Sequence, residues 1–221
     1  LYNITRETFL QALSTVRGNQ RVVTDNPEAT YDTLNKYGTD LVERAREQEM
    51  KALAITDHGV MYGVIDFYKE AEKQGINPIL GCEIYVAPGS RFDREPSHGD
   101  DRYYHLVLLA ENNQGYQNLM KIVSKGFVEG YYYKPRVDMD RETLEKYHEG
   151  IIALSACLAG EVPKYLARGM YEEAKEIALW HESCFGKGNY FLELQDHGLA
   201  EQAMVNQQLV RLSRETGIGL V

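Results

Sequence analysis

The sequence predicts an α/β fold: a mostly parallel sheet with helices outside it, arranged as a barrel or as a doubly wound sheet. Three observations carry that expectation. From Lys51 onward, short apolar runs alternate with amphipathic stretches, the βαβα order that builds parallel sheets. The first such unit, KALAITDHGVMYGVIDFYKEAEKQGINPILGCEIYVA from Lys51 to Ala87, reads as strand, helix, strand. Its polar residues stand where the strands end, and in parallel α/β folds the loops at strand ends converge on one face and gather catalytic and metal-binding groups.

Taken in order, RVV within 20–24 is a candidate first strand, followed by a helix at 38–49. The strand at 51–56 stops at Thr56-Asp57-His58-Gly59, and an amphipathic helix at 62–74 leads to the strand at 78–86. Residues 88–102 are polar and turn-rich with nothing helical, so they are expected to join a hairpin to the strand at 103–110. A helix at 113–126 precedes the segment 126–140, whose Tyr131-Tyr132-Tyr133 and Lys134-Pro135-Arg136 are read as a functional or interface loop without secondary structure. Helices at 141–147, 161–184 and 200–215 then separate strands at 151–156, 189–195 and 217–221. With 20–24 included, the strands number seven.

Two hundred and twenty-one residues suffice for one large α/β domain with a sizeable core. A net charge of −9 argues against a protein that wraps nucleic acid through a broad basic face, while leaving room for one that meets DNA only at a cleft. No apolar run approaches the ~20 residues of a membrane span and no signal peptide opens the chain, so no membrane partner is expected. Cys82, Cys157 and Cys184 are widely spaced and lack a CxxC, which fits neither a disulfide framework nor a zinc knuckle. A cytoplasmic location is the natural expectation.

Four positions stand out chemically. His58 beside Asp57 at a strand tip can hold a divalent metal with the acid as partner; equally, the pair can cap the following helix. Glu83 lies inside an apolar strand, where an ionised carboxylate needs a metal, a basic partner or a proton. His105 precedes LVLLA, and only a hairpin between 78–86 and 103–110 would bring it to the tip of the first strand. Cys157 closes IIALSA in a polar turn, where a thiolate ligand and a small buried hydrophobe are both reasonable. Lys134 and Arg136 can contact phosphate or pair with the acidic surface. His197 reads as a cleft or packing residue, and His98, His148 and His181 as ordinary surface or helix residues.

The segments ALAITDHG, YGVIDFYKEA and GCEIYVA, followed in order by YYHLVLLAENNQGYQNLMKIVS, YYYKPRVD, IIALSACLAGEVPKYL and NYFLELQDHGLAEQ, resemble the polymerase-and-histidinol-phosphatase (PHP) domain of bacterial DNA polymerase III alpha subunits. The resemblance covers roughly Tyr31 to Val221, leaving 1–30 unassigned, and it implies a PHP domain over 31–221 truncated at its C-terminus. It implies a distorted seven-stranded, TIM-like β/α barrel. It further implies metal ligands at His58, Glu83, His105 and Cys157, catalytic roles for Asp57 and His58, and a divalent metal (zinc, manganese or iron) as cofactor.

The family pattern is also broken. Its members open with a His-x-His, whereas VVTDNPEATYDTLNK here has no histidine and offers only Asp25, Glu28, Asp32 and Asn35 as oxygen donors. A later Asp-x-His of the family would lie past Val221. The resemblance implies a part of a DNA-directed DNA polymerase, a nucleotidyltransferase active in DNA replication, with a metal-dependent 3′–5′ exonuclease site of incomplete make-up. The implied partners are the rest of the alpha subunit, a DNA 3′ end and a proofreading exonuclease subunit. Two rival readings are a non-catalytic domain that supports the polymerase and docks that proofreading subunit, and a free-standing phosphoesterase acting on small monoesters.

Overall fold

Alternating apolar residues decide where the sheet forms and which side of each strand enters the core. The computed structural model describes residues 40–93, 102–137 and 142–221. The unassigned segment 1–30, the candidate strand at 20–24, the four oxygen donors and His98 lie outside the described residues. Helix α1 (Leu41–Glu47) starts at Asp40, whose carboxylate accepts the Val42 and Glu43 amides at 3.0 Å, satisfying donors that the first turn leaves open. Strand β1 (Ala52–Ile55) pairs in parallel with the first half of β2 (Asn77–Val86), and helix α2 (Val64–Gln74) makes the crossover. Val42, Ala45, Ala71 and Ile76 form a small core under these elements.

The second half of β2 pairs antiparallel with β3 (Tyr104–Ala110), so the expected hairpin exists. Strand β3 also runs antiparallel to β6 (Ile151–Leu154), while β6, β7 (Tyr190–Leu192) and β8 (Gly219–Leu220) are parallel. The sheet is therefore more mixed than the βαβ pattern predicts, because a hairpin reverses β3 against both neighbours. Cys82, Ile84 and Val86 of β2 and Leu106 and Leu108 of β3 point into the main core, against Leu119 and Ile122 of α3 (Asn113–Val128). Alternation then leaves Glu83, Tyr85 and His105 on the opposite face.

Two expectations need correction. Residues 126–140 are not free of secondary structure: β4 (Tyr131–Tyr132) and β5 (Lys134–Val137) form a tight hairpin, and β5 adds to β2 beside Tyr85 and Val86. Nor is 161–184 a single helix. It divides into α5 (Glu161–Ala167) and α6 (Tyr171–Phe185) around Gly169, whose φ of +76° suits glycine and ends the first helix. Helices α4 (Glu142–Tyr147) and α7 (Ala200–Thr216) lie where predicted. The fold is α/β, and its sheet curls into a half-barrel in the order β4-β5-β2-β3-β6-β7-β8, with β1 alongside β2. Among the described residues, this matches the distorted barrel in kind while adding the short β4–β5 hairpin to the predicted strands.

Candidate metal centre

Past Ile55 the chain keeps following β2. The Glu83 amide donates to the Asp57 carbonyl at 3.0 Å, and the Gly59 amide donates to the Glu83 carbonyl at 2.8 Å. This two-sided bridge sets His58 beside Glu83. On the other side, the β2–β3 register pairs Tyr85 with His105, which makes His105 the diagonal neighbour of Glu83 on the same face. The His105 amide donates to the Ala159 carbonyl at 3.0 Å, tying β3 to the turn after β6 that carries Cys157. That turn is forced by Ala156, a non-glycine residue at φ +61°, the kind of backbone strain that recurs at functional sites.

The result is a convergence of donors. The Nδ1 atoms of His58 and His105 lie 2.9 Å and 2.5 Å from the same Glu83 oxygen, Oε1. Both are ion pairs when the imidazoles are charged, but neither meets hydrogen-bond geometry, which leaves Oε1 a buried acceptor without a hydrogen-bond partner. The ligand atoms of His58, Glu83 and His105 all lie within 4.8 Å of one another. Cys157 Sγ stands at the edge of this group, 3.5 Å from His105 Nδ1. Two imidazole nitrogens, a carboxylate oxygen and a thiol aimed at one region form a donor set of the kind a divalent cation accepts. Tyr85 and Tyr103 box the His105 ring at centroid distances of 5.3 and 5.9 Å.

The charges of these groups are coupled. Burial opposes ionisation of Glu83, but His105 and His58 overcome it and hold the carboxyl below its usual range. Burial likewise opposes charge on His105, yet Cys157 and Glu83 push its pKa up to about 9. Burial works against a Cys157 thiolate as well, and the His105 ring and Ala159 backbone still lower its pKa. By contrast, burial drives the Cys82 thiol up to about 12. That thiol donates to the Asp57 carbonyl and packs in the core, so it is no ligand.

The other candidates are dispersed. Asp57 turns its carboxylate to the amide of Gly63, the residue before α2, at 3.3 Å, the helix-capping alternative. Arg136 is buried and donates to the carbonyls of Arg102 and Asp93, so its guanidinium braces a loop. Lys134 lies over the Tyr85 ring at 5.3 Å and pairs with no carboxylate among the described residues. The His197 ring contacts Gln202 Nε2 at 2.9 Å, a packing role. His148 is exposed beside the Glu145 carbonyl. His181 is a helix residue, but not a surface one: it is 4% exposed, against Phe185 and Tyr190. Ala174, Ala178, His181 and Phe185 recur at helical spacing, a signal that places this histidine on the buried stripe.

Gly160 holds the Cys157 turn against His105. A Cβ there would lie 2.1 Å from the Ser155 carbonyl and 3.0 Å from that of Cys157. Gly160→Ala is therefore expected to cost about 3 kcal/mol, the upper range for overpacking, and to weaken metal binding by displacing Cys157. Urea denaturation with an unchanged slope, beside a zinc titration, measures both; an unaltered midpoint would contradict this account of the turn.

A PHP domain family model matches residues 36–197. DNA polymerase III subunit alpha of Treponema pallidum is 50% identical over 181 residues, covering 82% of this chain and 15% of that protein. The same subunit of Borreliella burgdorferi is 45% identical over 182 residues, with 82% and 16% covered, and that of Thermus aquaticus 44% identical over 185 residues, with 82% and 15% covered. The chain thus spans about 15% of the length of these relatives. A protein from Bifidobacterium adolescentis, provisionally described as a metal-dependent phosphoesterase, superposes with a TM-score of 0.45 at 13% identity over 81% of this chain and 78% of that one.

Proposed function

The chain belongs to the PHP domain family, and on that premise we propose that it is a divalent-metal-binding domain of a bacterial replicative DNA polymerase alpha subunit. The observation that carries this reading is the pair of imidazole nitrogens directed at the orphaned Glu83 Oε1. His58, Glu83, His105 and Cys157 would hold the metal, and their mixed nitrogen, oxygen and sulfur donors suit zinc, manganese or iron. When bound, such an ion supplies Lewis-acid neutralisation of phosphate charge for phosphoester hydrolysis. Glu83, His105 and Cys157 form the inner wall of the site, while the His58 side chain is 65% exposed and faces the approach. Asp57 acts as a positioning residue, fixing the loop that carries His58 through its bond to Gly63. The relatives' identity supports the rest of an alpha subunit as partner, with a DNA 3′ end and a proofreading exonuclease subunit as further partners.

A supporting and docking role is favoured over full exonuclease activity by one feature: among the described residues the candidate ligands come from neighbouring strands and form a single cluster. In-line displacement at phosphorus needs stabilisation of both attacking and leaving oxygens, usually by paired metals, and among the described residues one such cluster exists. Elemental analysis of the purified chain is expected to find a single equivalent of divalent metal. Release of 3′ nucleotides from mismatched primer–template DNA with manganese is expected to match that of His58→Ala. Robust release that vanishes in that variant would establish the exonuclease reading instead.

A further inference from the structure

Behind His105 lies a second polar group that the metal centre does not use. Glu161 opens α5 directly after Gly160, the residue bridged to His105, so the backbone pairing that seats His105 also seats this acid. Glu161 is 6% exposed, His181 4% and Tyr190 1%. Each carries a buried polar atom without a hydrogen-bond partner: Glu161 Oε1, His181 Nδ1 and the Tyr190 hydroxyl. His181 Nε2 and Glu161 Oε2 face each other at 3.9 Å, too long for a hydrogen bond. Orphaned atoms this deep are rare and call for an unseen partner. All three residues line one small cavity, together with His105 and Ser155, with space of about 10 Å³ for the centre of a water molecule, close to what one water needs.

The donor and acceptor count closes on that molecule. Glu161 Oε1 is an acceptor. His181 Nδ1 is an acceptor in the tautomer that turns Nε2–H toward Glu161. Tyr190 is a donor, since burial and the nearby Glu161 keep its proton on. With Nδ1 of His105 directed at Glu83 and Cys157, Nε2–H is the donor left on this ring, and His105 lines the same cavity. One water has two hydrogens and two lone pairs, enough to serve all four. Metal-ligating histidines commonly donate their remaining N–H to such an outer partner, which fixes ring and tautomer.

We propose that His105, Glu161, His181 and Tyr190 share one ordered internal water, and that Glu161 acts through it as a positioning residue for the metal ligand His105. The inference rests on the reading of His105 as a ligand. Glu161→Ala is expected to weaken Zn²⁺ binding, measured by competition with a chromophoric chelator, by roughly 10–100-fold. Glu161→Gln keeps an acceptor oxygen and is expected to restore most of that affinity. A purely structural role would lower the melting temperature of both variants and leave the Zn²⁺ affinity of the folded protein unchanged. Should Glu161→Ala fail to fold, Tyr190→Phe removes one donor to the same water and is expected to weaken Zn²⁺ binding in the same direction. A high-resolution crystal structure of the wild-type chain is expected to show the water within hydrogen-bond reach of all four residues. A dry cavity, or an unchanged affinity in Glu161→Ala or its Tyr190→Phe substitute, overturns the inference. A wild-type chain that takes up no Zn²⁺ while the water is present sinks the metal reading, and the positioning role falls with it while the hydration site stands.

Discussion

Saturating manganese or zinc is expected to raise the melting temperature of the wild-type chain by several degrees, and Glu83→Ala is expected to abolish the rise. A ligand that binds only the folded state stabilises it by mass action, about 2.7 kcal/mol at a hundredfold excess over Kd. In a domain of this size each kcal/mol is worth about 2–4 °C, so the rise is roughly 5–11 °C. Glu83 is the decisive position because both imidazoles converge on its Oε1; removing it takes away the central anionic donor and the carboxylate that helps hold His105 charged. His148→Ala is the control, since that ring is exposed and, among the described residues, bonds to the Glu145 carbonyl. A metal-dependent rise that survives in Glu83→Ala would show that the ions bind elsewhere.

The positions of the candidate ligands were legible in the sequence because three of them sit at breaks in apolar runs, while the ligand roles themselves came only with the family resemblance. His58 follows the run that becomes β1, His105 begins LVLLA and Cys157 ends IIALSA. The acid of GCEIYV occupies an alternation position opposite the core residues Cys82 and Ile84. Period-two alternation fixes a face, and the hairpin expected from the polar 88–102 segment fixes which end His105 joins. Asp57 was ambiguous for a physical reason: a carboxylate after a strand tip can reach either a cation or the free amides of the next helix, and here the Gly63 amide takes it.

What the sequence concealed depends on contacts between distant segments. The β4–β5 hairpin turns at Tyr133 with φ +61°, where glycine or asparagine is the usual signal, so the tyrosine gives no local warning. Arg136 looks like a free cation in KPRV, but the folded chain delivers two carbonyls to it, from Arg102 and Asp93. His181 and Glu161 stand 20 positions apart in sequence and meet only because Gly169 breaks the helix and folds α6 back on α5.

Metal affinity is expected to climb with pH, at least about tenfold per unit below pH 9, and to level off above about 9. In the metal-free chain, burial disfavours the charged His105 ring, but Cys157 and Glu83 outweigh it and raise the pKa from 6.5 to about 9. A metal needs the lone pair that this proton occupies, so uptake near neutral pH releases at least one proton. Folding stability offers a poorer readout. The raised His105 pKa contributes stability that is full below 6.5 and lost as pH rises through about 9. The lowered Cys157 pKa contributes stability that is full above 9.0 and lost as pH falls through its folded value, so the two slopes oppose each other. For metal uptake the signs agree, because both groups bind as their deprotonated forms. Calorimetric titration in buffers of different ionisation enthalpy counts the released proton directly. Cys157→Ser removes the strongest influence raising the His105 pKa, so the plateau is expected at lower pH, with weaker binding from the lost thiolate. Affinity that stays flat from pH 6.5 to 9, with no proton released, would remove His105 from the ligand set.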